Sequence, residues 1–121
     1  MEDLTVELVI AFHDQVIQTE GGDNRLLSEA NLHQMVFLVN RIEEVFQRAA
    51  LAFFTLVAYP AFREGNGHTA QHVAEKILTD NGYIPADSND SMTGLVQGIG
   101  SFLIEQADIE EWLRLHYKKI G

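Results

Sequence analysis

Residues 62 to 69 read Phe62-Arg63-Glu64-Gly65-Asn66-Gly67-His68-Thr69, and their types and spacing suit the handling of a phosphate. Two glycines around an asparagine let the backbone approach an anion closely. A helix that follows them aims its free N–H groups and its dipole at the same point. Glu64, beside the turn, is placed to hold a divalent cation such as Mg²⁺ against the phosphates. Gly-Asn-Gly is also an ordinary way to join two helices, with positive φ from glycine and a cap from asparagine, so a plain turn is the competing reading.

The segment resembles the signature of the Fic/Doc family. That signature is a histidine, any residue, phenylalanine, any residue, Asp or Glu, then Gly-Asn-Gly-Arg, or Ala-Asn-Lys-Arg in the death-on-curing branch. Phe62, Glu64, Gly65, Asn66 and Gly67 match it. Leu4-Thr5, Ile10-Ala11-Phe12-His13-Asp14, Gly21-Gly22 and Leu26-Leu27 are similar to the opening of death-on-curing proteins, and the length suits that small branch. The resemblance implies a helical domain that moves an AMP or phosphoryl group from ATP, with Mg²⁺, to a protein hydroxyl. It implies a nucleotide and phosphate site at Phe62, Arg63, Gly65, Asn66, Gly67 and His68, with Glu64 on the metal. It also implies a protein target, and an antitoxin-like partner whose disordered tail folds onto the helical domain.

The departures from the pattern are chemical. Pro60 stands two residues before Phe62, where the family has its catalytic histidine, and the flanking Tyr59 and Ala61 do not restore it. Loss of a positioned general base costs roughly 100- to 10,000-fold in rate. His68 and Gln71 stand where the family's arginines grip phosphate, and neither offers a permanently charged fork. Arg63 is the remaining cation on the loop. The expectation is a Fic/Doc-like protein that is impaired as an enzyme. An active transferase and a non-catalytic protein-binding module are the alternatives.

Composition sets the outer limits. A chain of 121 residues with 46% hydrophobic content suits one domain over 1–121 with a real core. The absence of cysteine rules out disulfide and thiolate chemistry and is compatible with a cytoplasmic protein. Eight Lys and Arg against 18 Asp and Glu give a net charge of −10, which repels nucleic acid. No uninterrupted apolar run approaches the roughly 20 residues of a membrane span. Sequence leaves the oligomeric state undetermined.

The elements that must position the loop read as helices, with no convincing alternating strand. Thr5 caps a first helix to about Thr19, and Gly21-Gly22 ends it; Ser28 caps a second toward Asn40. Asn40 with Glu43 resembles a capping box for a third helix over Arg41–Tyr59. That helix is apolar nearly all round and so belongs at the centre, with Pro60 ending it. A fourth runs His68–Asp80, with Asn81-Gly82 as its stop, before a polar connection over Pro85–Asp90. Leu95 to Ile104 marks a fifth, and Asp108 with Glu111 opens a last one containing Trp112. The fold expected is an all-α, compact helical bundle of Fic/Doc type, about six helices around a central apolar one.

Other constellations are weaker. His68 and His72, four apart on one helix face, have metal-ligand spacing, with Glu64 or Glu75 as a carboxylate, although two surface histidines are the simpler reading. His13, His33 and His116 read as solvent-facing or hydrogen-bonded structural residues, and whether one of them folds over the loop in place of the missing base is open. Tyr59 and Tyr83 suit adenine stacking or plain packing.

Overall fold

Val45–Ala58 buries Phe46, Ala49, Ala50, Ala52, Phe53 and Leu56, which point in several directions round the helix, so neighbours must cover it from several sides. In the computed structural model, which describes residues 1–87 and 92–120, this helix, α3, is the centre. Around it pack α2 (Glu29–Asn40), α4 (Asn66–Asp80), α5 (Thr93–Gly100) and α6 (Gln106–His116), and α1 (Val6–Glu20) lies along α4. The architecture is all-α, with six helices among the described residues. Leu32, Met35, Phe53, Leu56, Leu78, Ile109 and Leu113 are fully buried around the α3 axis. Each such side chain stabilises the fold by about 1.5–3 kcal/mol relative to exposure. No helix among the described residues is long and apolar enough to cross a membrane.

Two caps fall where expected. The Thr5 hydroxyl accepts from the Leu8 N–H at 3.1 Å, and the Ser28 hydroxyl accepts from the Asn31 N–H at 3.1 Å. Gly21 closes α1, donating its N–H to the Ile17 carbonyl at 2.7 Å.

Several boundaries differ from the sequence expectation. α3 begins at Val45 rather than Arg41, and its cap is Glu44, whose carboxylate accepts from the Gln47 N–H at 2.7 Å. Asn40 does not open a capping box with Glu43, because its side chain is used at long range. Its amide exchanges two hydrogen bonds with the Leu4 backbone, at 2.7 and 2.8 Å, and its oxygen also accepts from Arg48 Nη2 at 2.7 Å. Arg48, buried beside α3's start, donates further to the Glu2 carbonyl at 3.2 Å. Asn40 therefore satisfies a buried charge instead of a helix end.

A strand pair is also present, where none was expected. β1 (Tyr83–Pro85) and β2 (Tyr117–Lys119) pair antiparallel with Tyr83 opposite Lys119, and three residues each are too few to show an alternation in sequence. α5 stops at Gly100, short of Ile104, as the Gly98 carbonyl accepts from both Leu103 and Ile104. α6 is opened by Glu105 and Asp108, not by Asp108 and Glu111: the Asp108 carboxylate accepts from the Glu105 N–H at 2.8 Å. Of the connection expected over Pro85–Asp90, Pro85 belongs to β1, and residues 88–90 lie outside the described ones.

Candidate functional site

The loop between α3 and α4 starts where Tyr59 leaves helical geometry, at φ −126° and ψ 74°, as a residue before proline is steered to do. From there nearly every carbonyl is held by the protein. Pro60 C=O accepts from Asn31 Nδ2 at 3.2 Å, and Ala61 C=O accepts from the N–H groups of Leu27 and Ser28 at 2.8 and 3.0 Å. Phe62 C=O accepts from Asn66 Nδ2 at 2.8 Å, and Glu64 C=O from His13 Nε2 at 2.7 Å. Gly65 C=O takes both the N–H and the hydroxyl of Thr69, at 3.0 and 2.7 Å. Phe62 bridges antiparallel to Leu26, and Arg63 N–H donates to Arg25 C=O at 3.2 Å, so residues 25–28 run alongside the loop.

The N–H groups behave in the opposite way. Those of Glu64, Gly65, Asn66, Gly67 and His68 have no hydrogen-bond partner among the described residues. The last three belong to the first turn of α4, which starts at Asn66, two residues earlier than the sequence suggested. Gly65 adopts φ +80° as the cap of that helix. A Cβ there would lie 3.3 Å from both Ile17 Cδ1 and Val16 Cγ1, so glycine is required by conformation and by the approach of α1. The result is a run of unpaired amides at a helix N-terminus, a geometry that favours an anion.

The sequence-selected residues take distinct places. Phe62 is buried beneath the loop, while Arg63 is exposed and its guanidinium forms no hydrogen bond or ion pair among the described residues. The Asn66 side chain faces inward and closes on Phe62, its Oδ1 accepting the Phe62 N–H at 3.1 Å, so it braces the loop instead of lining the anion position. Glu64 is exposed, and one carboxylate oxygen accepts the Asp23 N–H. Gly22, at φ +115°, makes room for that contact, since a Cβ on it would meet Glu64 Oε2 at 2.7 Å. The Arg25 guanidinium, bonded side chain to side chain, and the Arg25 N–H together hold the Asp23 carboxyl down from an ordinary 3.8 to about 2.

His68 turns toward the end of α1, where its Nδ1 meets the Glu20 carboxylate at 2.7 Å and 2.6 Å from its two oxygens. His72 instead stacks on Phe12, with ring centroids 5.9 Å apart. The two histidines are not brought together, and among the described residues no group of three His, Asp or Glu side chains is placed to hold a metal. Tyr59 is exposed beside the loop, whereas Tyr83 packs edge-on against Phe46 and under Lys119. Gln71 has its buried Nε2 without a partner. Two cavities, of about 520 and 390 Å³, are lined by other parts of the molecule, and Gly65, Asn66 and Gly67 are half-buried, with the Gly67 Cβ position 3.1 Å from Val96 Cγ1.

Sequence reading missed His13 as a site residue. Its ring is fully buried and lies face to face on Phe62, centroids 3.7 Å apart and planes 6° apart. The signal was available: Val9, His13 and Val16 share one buried stripe of α1, so a histidine there faces the interior. In this position it is not free to act as a base over the loop, because Nε2 is spent on the Glu64 carbonyl and Nδ1 is buried. Asp23 and Arg25 were missed as well, and nothing in local spacing marks them.

No family profile matches the chain. Among curated proteins it is similar to the protein adenylyltransferase and cysteine protease IbpA of Histophilus somni (strain 2336), 30% identical over 105 residues. The match takes in 69% of this chain and 3% of that protein. The chain thus spans a small fraction of its relative and is distantly similar to an adenylyltransferase.

Proposed function

We propose that this is a Fic-family domain, of the death-on-curing branch, whose α3–α4 loop binds the phosphates of a nucleotide such as ATP while Pro60 leaves it impaired as a transferase. The observation that carries the reading is the run of unpaired amides from Glu64 to His68, in a loop where the carbonyls of Pro60, Ala61, Phe62, Glu64 and Gly65 are bonded to the protein. The likeness to an adenylyltransferase supports the family. Five donors at a helix N-terminus suit a phosphate chain. Glu64 would be the residue to hold a magnesium ion, because one of its carboxylate oxygens takes the Asp23 N–H and the other is not so engaged. When bound, Mg²⁺ would neutralise phosphate charge.

The chain's own residues then bind and orient. Gly65, Asn66 and Gly67 present backbone donors, Phe62 and Asn66 hold the loop's shape, and Arg63 adds an exposed positive charge. His68 is a weak substitute for an arginine, since Glu20 already competes for it. With no base at Pro60, a target hydroxyl keeps its proton. We also propose, from the resemblance to that branch, an antitoxin-like protein partner and a cytoplasmic location.

The test is transfer of label from ATP to protein substrates by the wild type, Pro60→His and Glu64→Ala. Labelling that appears only in Pro60→His supports a nucleotide site that lacks its base. Labelling by the wild type overturns the impairment, and no gain in Pro60→His together with no ATP binding overturns the nucleotide reading.

A further inference from the structure

We infer that His13 is a positioning residue for the loop: through an Nε2–H tautomer it holds the Glu64 carbonyl inward and so aims the Gly65 N–H outward at the anion. The inference deepens the phosphate-loop reading and rests on it.

A carbonyl oxygen only accepts, so the 2.7 Å contact between His13 Nε2 and Glu64 C=O requires the hydrogen on Nε2. Nδ1 is buried and has no partner among the described residues, which suits a bare lone pair better than a second N–H. The Glu64–Gly65 peptide is planar and trans, so its C=O and N–H point in opposite directions. Fixing the carbonyl on His13 therefore fixes the direction of the Gly65 amide. Thr69 does the same for the next peptide, where its hydroxyl and N–H on Gly65 C=O aim the Asn66 N–H.

Packing alone does not account for a histidine here. The other buried positions of the same stripe, Val9 and Val16, are aliphatic, and an aliphatic residue would fill the space without burying an unpartnered nitrogen. The ring does two things an aliphatic residue cannot. It stacks flat on Phe62, three residues after the α3 cap Tyr59, and it donates to Glu64. One side chain of α1 thereby sets the height and the rotation of the loop.

The experiment uses the whole chain, ¹⁵N-labelled, as wild type, His13→Phe and His13→Gln. A long-range ¹H–¹⁵N spectrum of the wild type is expected to show His13 with hydrogen on Nε2 and a bare Nδ1. A hydrogen on Nδ1 with a bare Nε2 overturns the inference whether or not either variant folds. His13→Phe keeps a ring on Phe62 and loses the donor. It is expected to displace the Gly65 amide resonance and to weaken Mg·ATP binding by about tenfold, the scale of one lost hydrogen bond in a buried setting. His13→Gln, which carries an N–H donor, is expected to recover most of that loss. A folded His13→Phe with an unmoved Gly65 amide and unchanged binding overturns the inference. If the wild type shows no response to Mg·ATP, the nucleotide reading fails, and the tautomer and the Gly65 displacement still decide the role of His13.

Discussion

Asn66 closes on Phe62 from both ends of its side-chain amide, accepting the Phe62 N–H at 3.1 Å and donating to the Phe62 C=O at 2.8 Å. Phe62 is buried, so neither backbone group has ready access to water as a substitute partner. Asn66→Ala leaves both unsatisfied and is expected to cost about 2–4 kcal/mol, two hydrogen-bonding groups at the usual penalty for each. Asn66→Asp keeps the acceptor and loses the donor, so it should fall between. Urea unfolding at pH 7 measures both, and a loss below about 0.5 kcal/mol in Asn66→Ala, the range of an ordinary surface substitution, would show that the brace is not needed.

Gly65 tests the same loop through its backbone. At φ +80°, with Val16 and Ile17 close to the Cβ position, Gly65→Ala is expected to destabilise by about 1–3 kcal/mol and to tilt the start of α4. The amides of Asn66 and Gly67 should shift in the NMR spectrum. An alanine variant as stable as the wild type, with an unmoved spectrum, would contradict the close approach of α1.

The Asp23–Arg25 pair gives a pH dependence of defined sign. Asp23 has its carboxyl lowered from 3.8 to about 2 in the folded chain, chiefly by the Arg25 side chain. Its contribution is therefore fully present above pH 3.8 and is lost as pH falls through about 2. An NMR titration of the Asp23 side chain should give a midpoint near 2, and Arg25→Ala should return it toward 3.8. The pair is exposed, so salt should weaken the shift.

Legibility of the fold and of the site differed. Apolar periodicity gave α3 as the centre, and Thr5, Ser28 and Gly21 marked helix ends, because these signals are local in sequence. Asn40 misled because a local capping pattern competed with long-range bonds to Leu4 and Arg48, and only the folded chain decides such a contest. The loop was legible as a type of segment. Which of its groups face outward was not, since that depends on His13 and Asp23, which lie 51 and 41 residues away in sequence from Glu64.

Arg48 shows how much one such long-range contact carries. Its buried guanidinium is met by Asn40 Oδ1 at 2.7 Å, the Glu2 and Ile42 carbonyls at 3.2 and 3.5 Å, and the Asp3 carboxylate at 3.6 Å. Asn40→Ala is expected to destabilise by about 3 kcal/mol, more than a helix cap is worth, because it removes the shortest hydrogen bond to a buried guanidinium and leaves both Leu4 backbone groups without their side-chain partner. Thermal unfolding checks it. A cost of about 1 kcal/mol would instead match the capping role.

The central claim, that the amides from Glu64 to His68 receive a nucleotide's phosphates, is met most directly by a residue-resolved NMR titration of the wild type with Mg·ATP. The account predicts saturable shifts concentrated on those five amides, reduced in Glu64→Ala. If those amides stay unmoved at millimolar nucleotide, or if the shifts gather elsewhere on the molecule, the loop is a helix junction and not a phosphate site.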